Sequence, residues 1–294
     1  MTAAAAAPLK ALALCADDFG CSSAVDRGIL QLAADGRLTA VSCIVNQPRW
    51  PGALQELAAL PAVAAGRLRL GLHFNLTEGR PLSAALQRHW PQLPSLKRLL
   101  LLAHARCLPL AALHDELRAQ LSRFEDSRGA APDHLDGHQH VIHLPGLRQR
   151  VLAEIATRPA LRVRHTGHVL GPGFGFKRQV IASTGGRAFG RALQARGQAA
   201  NTTLLGVYDF ADPDYRTLMQ RWLGSAPRAG GLLFCHPGAA TADTQDPIAA
   251  ARARELTYLS SPAFAEDLHA AGVMLSPAGP AAPDALNAQT SSTG

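Results

Sequence analysis

Two adjacent carboxylates, Asp17 and Asp18, stand where the apolar run Leu9-Lys-Ala-Leu-Ala-Leu-Cys-Ala16 ends. A carboxylate pair at the mouth of a buried strand is costly to desolvate, so its presence calls for a partner. Three further run ends carry histidine: Leu70-Gly-Leu-His73-Phe-Asn75, His134-Leu-Asp136-Gly-His138-Gln-His140 and Leu232-Leu-Phe-Cys-His236-Pro. Two or three neutral imidazoles with one carboxylate, and positions left open for water, form the ligand set of a catalytic divalent ion, usually Zn2+ but also Mg2+ or another metal. Such an ion turns water into a nucleophile near neutral pH. On a regular strand successive side chains point opposite ways, so one aspartate would ligate and leave the other free to take a proton. His138 and His140, at i and i+2, would share a strand face with Asp136, an acceptor able to orient a histidine. Taken singly, Asp18 could equally be a turn carboxylate or a helix N-cap, and His73 a hydrogen-bonded core histidine. Their joint occurrence at strand ends is what points to metal chemistry.

The elements that must position these residues alternate. Strand-like runs recur at 9–16, 41–46, 68–74, 134–138, 161–164, 232–235 and 273–276, with helical periodicity between several of them, which implies a parallel sheet, open or closed into a barrel. In such folds the site gathers at the carboxyl ends of the strands, where Asp17, Asp18, His73, His138 and His236 all fall. Ser22 caps a first crossover helix carrying Val25, Ile29, Leu30 and Leu32, and Gly36 ends it. A second helix over 110–128 carries Leu113, Leu117, Leu121 and Phe124 on one face, charges on the other, and Gly129 at its end. The stretch 79–109, punctuated by Pro81, Pro91, Pro94 and Pro109, is long for a plain connection and reads as a lid or interface insertion. The glycines of 167–203 read as a mobile loop. Gly171-Pro-Gly-Phe-Gly175 lacks a dinucleotide-binding spacing, and no phosphate-loop motif is present.

A chain of 294 residues, 47% hydrophobic, can bury a full core in one domain, expected over 9–276 with unstructured ends at 1–8 and 277–294. No stretch of about 18 uncharged apolar residues suggests a membrane span, and the N-terminus lacks the basic leader of an export signal. A cytoplasmic protein is expected. The five cysteines are an odd number without CxxC spacing and read as reduced structural thiols. The net charge of +7 is uneven: 146–200 holds ten Lys or Arg against the single acid Glu154. That block could face an anionic membrane or substrate, mark a nucleic-acid-binding protein, or be a solvated arginine-rich surface. Scarce aromatics, 5% of the chain, and the lack of any binding module speak against nucleic acid. The Leu99–Leu102 run and the insertion around it could supply a homodimer patch.

Five blocks in order, Ala16-Asp17-Asp18-Phe-Gly20, Gly36-Arg-Leu-Thr-Ala-Val-Ser42 with Val45-Asn46, Gly71-Leu-His73-Phe-Asn-Leu-Thr-Glu-Gly-Arg-Pro-Leu82, Pro132-Asp-His-Leu-Asp-Gly-His138-Gln-His140 and Cys235-His236-Pro-Gly238, span about residues 9–240. On them the chain resembles the ChbG/HpnK (YdjC-like) carbohydrate deacetylases. The resemblance implies an α/β fold, a single-domain deformed (β/α) barrel of the polysaccharide-deacetylase (NodB-like) type, and hydrolysis of the N-acetyl group of an amino sugar. It implies Asp18, His73 and His138 as ligands of the divalent metal (Mg2+ or Zn2+), Asp17 as general base and His236 as general acid for the leaving amine. Asn75, Asp136, His140 and Arg164 are expected to contact substrate or to support the ligands. Gln139 stands where some relatives have a third consecutive histidine and is not expected to ligate. A chito-oligosaccharide or related N-acetylated carbohydrate is the expected substrate. A lipid-linked amino sugar of hopanoid biosynthesis, or another amide or ester, stands as the alternative for the same water-activating chemistry.

Overall fold

Among the described residues, eight parallel strands build one sheet: β1 (Lys10–Phe19), β2 (Ala40–Cys43), β3 (Arg69–Phe74), β4 (His134–Gly137), β5 (Arg162–Val163), β6 (Leu204–Leu205), β7 (Gly231–Cys235) and β8 (Val273–Leu275). Their order is β5-β4-β3-β2-β1-β7-β6, with β8 also pairing β1. The sheet curls, and its edges meet through single bridges from Val163 to Ala200 and from Val169 to Leu204. The result is a half-closed, barrel-like sheet wrapped by helices. This computed structural model describes residues 9–243 and 245–277; the ends expected to be unstructured, 1–8 and 277–294, lie outside the described residues apart from Pro277.

The helices are α1 (Ser23–Ala34), α2 (Trp50–Ala58), α3 (Pro61–Ala64), α4 (Ala84–His89), α5 (Leu96–His104), α6 (Leu110–Arg128), α7 (Leu147–Ile155), α8 (Gly175–Ile181), α9 (Arg187–Gln194), α10 (Tyr215–Ser225), α11 (Ala249–Ser260) and α12 (Pro262–Ala270). Strands covered in this way read as nearly unbroken apolar runs, and Leu12, Leu14, Val41, Leu70, Leu72, Leu135 and Leu233 are buried. The α1 helix forms as its sequence predicts: Ser22 Oγ accepts from the Val25 amide, and Val25, Ile29 and Leu32 face the core. The α6 helix spans 110–128 and ends on Gly129 in the left-handed region. Its polar residues are not all on the solvent side, however. Glu116 and Gln120 are fully buried and hold the loop after β3: Glu116 accepts from the Leu82 and Ser83 amides, and Gln120 donates to the Asn75 carbonyl and accepts from the Asn75 amide.

Three sequence expectations change. The 167–203 segment is not simply a loop, because it holds α8, a π-turn over 182–186, and α9, whose Phe189 and Leu193 are buried. Its glycines serve close approach: a Cβ on Gly185 would lie 2.0 Å from the His143 carbonyl oxygen. The HxH pair does not lie on a strand, since β4 ends at Gly137 and His138–His143 form a tight turn. The basic block is not all free surface charge either: Arg164 is 4% exposed and enters the site, while Arg158 pairs with Glu125 and Glu154. The 79–109 insertion carries α4 and α5, with Leu101 on α5 69% exposed. All five cysteines are free thiols, and among the described residues no helix is long and apolar enough to cross a membrane.

Candidate active site

The carboxyl ends of β1, β3, β4 and β7 open into a cavity of about 560 Å³. Asp17, Asp18, His73, His138, His140 and His236 all line it. At the end of β1 the backbone of Asp18 is left-handed (φ 71°) and the register with β2 shifts between Ala16 and Phe19. Regular alternation would have sent the two aspartates to opposite faces; this irregularity brings both into one cavity, each 2% exposed. The same device shapes the turn after β4, where Gln139 (φ 51°) and His140 (φ 62°) are consecutive left-handed residues. Left-handed backbone at non-glycine residues is costly and concentrates where geometry serves a site.

Among the described residues, three groups of side chains have the composition of a metal site: Asp18–His73–His138, Asp17–His73–Asp136 and Cys15–His134–Asp136. In two of them another group already fills the centre. The Arg164 guanidinium donates to both oxygens of Asp17 at 2.8 Å and lies 3.1 Å from Asp136 Oδ2. Between Cys15, His134 and Asp136 sits the Ser42 hydroxyl, 3.3 Å from Cys15 Sγ, 2.9 Å from His134 Nε2 and donating to Asp136 Oδ2 at 2.6 Å.

Asp18–His73–His138 is the open group. Asp18 Oδ1 lies 2.9 Å from His138 Nδ1 and 3.3 Å from His73 Nε2, yet it is buried without a hydrogen-bond partner. Atoms each about 2.1 Å from one ion stand roughly 3.0–3.4 Å apart, so an orphaned buried carboxylate oxygen facing two ring nitrogens at these distances fits a divalent cation. The remaining nitrogens are held by carboxylates: His73 Nδ1 lies 2.5 Å from Asp136 Oδ1, and His138 Nε2 lies 3.0 Å from Glu78 Oε1. Carboxylates in this position fix ring orientation and strengthen the imidazole as a ligand.

The electrostatics favour positive charge here. Burial opposes protonation of His73, but Asp136 and Asp17 push its pKa up to about 9. Burial likewise opposes the charge on His138, and Asp18 and Glu78 outweigh it to give about 10. Asp18 is held well below the ordinary carboxylate range, because Arg252 and His138 overcome its burial. Arg252, 6% exposed, donates to Asp18 Oδ2 at 2.7 Å and to Asp246 Oδ2 at 2.7 Å.

On the opposite wall, His236 stands edge-on to Phe210 (5.1 Å) and Phe234 (5.4 Å), and His140 stands edge-on to Phe234 (5.4 Å). Enclosure pushes the His236 pKa down to about 4, and its Nδ1 has no hydrogen-bond partner. Its backbone amide donates at 2.6 Å to Glu255, a fully buried carboxyl that also accepts from the Tyr208 hydroxyl at 2.5 Å.

Asn75 does not line the cavity. Its Oδ1 accepts from the Thr77 and Glu78 amides and its Nδ2 donates to Asn46 Oδ1 and the Glu78 carbonyl, so it shapes the turn that presents Glu78 to His138. Asp136 and Arg164 touch His73 and Asp17, and His140 reaches the cavity wall. Glu78, Arg252, Asp246 and Glu255 were not among the sequence candidates. Glu78 stands inside the His73 block and could have been singled out there, whereas Arg252 and Glu255 read as ordinary charges on a helix.

Comparison with known proteins places this geometry. A sequence model described as YdjC-like protein matches residues 11–270. The chain is 36% identical over 156 residues to a chitooligosaccharide deacetylase of Proteus mirabilis (strain HI4320), covering 51% of this chain and 56% of that protein. It is 38% identical over 200 residues to a carbohydrate deacetylase of Homo sapiens, covering 66% and 58% respectively. The matched stretch thus spans little more than half the length of these relatives. In fold, the chain is similar to a crystal structure from Enterococcus faecalis V583, named as a candidate cellobiose-phosphate cleavage protein, with a TM-score of 0.69, 21% identity, and coverage of 91% of this chain and 97% of that one.

Proposed function

The chain belongs to the YdjC-like family, and on that premise we propose that it is a metal-dependent hydrolase that removes the N-acetyl group of an amino sugar, with a chito-oligosaccharide or related carbohydrate as substrate. The observation that carries this reading is the open Asp18–His73–His138 group, with Asp17 beside it and His236 across the same cavity. Asp18 Oδ1, His73 Nε2 and His138 Nδ1 would hold the ion. Zn2+ suits the two-imidazole set and Mg2+ is the second choice; when bound, it supplies Lewis acidity that polarises the amide carbonyl and makes water more acidic.

The chain's own residues do the rest. Asp17, steadied by Arg164, takes the proton from the attacking water. The C–O bond forms, the C–N bond breaks, and acetate leaves the amine. His236 gives the departing nitrogen its proton. It is neutral at pH 7 in the free site, so the proton it delivers is the one the attacking water gave up to Asp17, passed back across the cavity, which leaves Asp17 ionised for the next turnover. Phe210, Phe234 and Tyr208 give the cavity apolar faces against which a sugar ring packs.

A cytoplasmic location belongs to the same proposal and is supported by the five free thiols. So does a homodimer formed through α5, supported by the exposed Leu101. A lipid-linked amino sugar or another amide or ester is the alternative substrate for this chemistry. The test is acetate release from N,N'-diacetylchitobiose and a panel of N-acetylated sugars by metal-stripped protein: restoration by Zn2+ or Mg2+ supports the reading, and release that ignores the metal rejects it.

A further inference from the structure

The hydrogen bonds that hold His73 do not stop at Asp136. Asp136 Oδ2 accepts from the Ser42 hydroxyl on β2, which commits Ser42's only proton. The 2.9 Å contact between Ser42 Oγ and His134 Nε2 therefore requires His134 to be the donor. Burial holds the His134 pKa down, so the ring is neutral and carries its single proton on Nε2. Each polarity then follows: His134 donates to Ser42, Ser42 to Asp136, and Asp136 accepts on its other oxygen from His73 Nδ1–H, so that Nε2 is the ring nitrogen turned toward Asp18.

All four groups are buried, Ser42 fully and His134 to within 9%. A core layer filled for packing alone needs no polar side chain here. Room is also reserved for it: a Cβ on Gly71 would lie 2.3 Å from His134 Nε2, so the glycine on β3 lets the imidazole lie against the strand. At its far end His134 borders a small cavity of about 60 Å³ at the foot of the sheet, lined also by Arg69, Asp133 and Arg162. The chain thus runs from the foot of the sheet to the metal ligand.

We propose that Ser42 and His134 are positioning residues that fix the orientation and tautomer of His73 as a metal ligand. The proposal rests on the metal-site reading above and extends it two residues inward. Residues that support metal ligands typically change metal affinity by about 10–100-fold when altered.

The test titrates metal-stripped full-length protein with Zn2+ by calorimetry and follows acetate release separately. Ser42→Ala and His134→Met should each weaken Zn2+ binding about 10-fold, with KM for the sugar unchanged at saturating metal. The double variant should be no weaker than the poorer single one, because both break one chain. His134→Gln, which keeps an N–H donor, should recover most of the affinity. Val41→Ala, on the same strand, serves as the packing control and should lower the melting temperature without moving Zn2+ affinity. Affinities of Ser42→Ala and His134→Met within twofold of wild type, or an equal loss in Val41→Ala, would overturn the proposal. A wild type that binds Zn2+ but deacetylates no sugar removes the proposed activity and leaves the variant affinities to decide this inference. A wild type that binds neither Zn2+ nor Mg2+ overturns both.

Discussion

Glu255 gives the sharpest quantitative expectation. It is fully buried on α11, accepting from Tyr208 and from the His236 amide, and burial outweighs those bonds to push its pKa up to about 7. In the unfolded chain it reverts to its ordinary value of 4.5. A carboxyl raised in the folded state stabilises the fold fully below the unfolded pKa, and this contribution is lost as pH rises through the folded pKa. The shift of roughly 2.5 units, at about 1.4 kcal/mol each, makes the loss on the order of 3 kcal/mol between pH 4.5 and 7.5. Glu255→Gln is uncharged: its carbonyl can accept from His236 while its amide faces Tyr208, whose hydroxyl can turn to accept. Urea unfolding of both proteins at pH 4.5, 6.0 and 7.5 isolates this group, because titrations common to the two cancel in the difference. The variant should gain about 3 kcal/mol relative to wild type across that range, or about 6–12 °C in melting temperature. Parallel curves, separated by a constant within about 0.5 kcal/mol, would refute the reasoning and mean that Glu255 ionises normally.

Arg164→Met should leave Asp17 an uncompensated buried carboxylate and Asp136 with only Ser42 and His73, at a cost of about 3–5 kcal/mol measured by denaturant unfolding, and should lower kcat for acetate release by at least about 100-fold. A loss under 1 kcal/mol would show that the two acids find other partners. Glu78→Ala, which frees His138 Nε2, should weaken Zn2+ binding about 10–100-fold by calorimetry; an unchanged affinity would remove Glu78 from the site. His236→Ala should abolish amide cleavage yet spare an activated acetyl ester, whose leaving group needs no proton. Equal loss of both reactions would sink its assignment as acid.

The sheet and the α1 and α6 helices were legible because apolar periodicity and end signals such as Ser22 and Gly129 are local. The line of Asp17, Asp18, His73, His138 and His236 at strand ends was legible for the same reason. Left-handed backbone at Asp18, Gln139 and His140 was not, since residue type only biases φ and most aspartates and histidines stay outside that region. The glycines of 167–203 misled because close packing and mobility use the same residue: Gly185 and Gly186 fit against His143 and Thr166 between two helices. Arg252 meets Asp18 across 234 positions of sequence, and a buried arginine on a helix has the same local pattern as an exposed one. Contacts of that range arise only once the strands curl.

In the function we propose, one divalent ion held by Asp18, His73 and His138 makes the cavity a deacetylase. It is tested most directly by titrating Zn2+ into metal-stripped protein while counting bound ions and measuring acetate release from N,N'-diacetylchitobiose, in wild type and in Asp18→Ala. In wild type the two curves should rise together and saturate at one ion per chain, and Asp18→Ala should lose both. Acetate release from fully stripped protein, or an unchanged titration in Asp18→Ala, would rule out an ion at these three ligands as the source of activity.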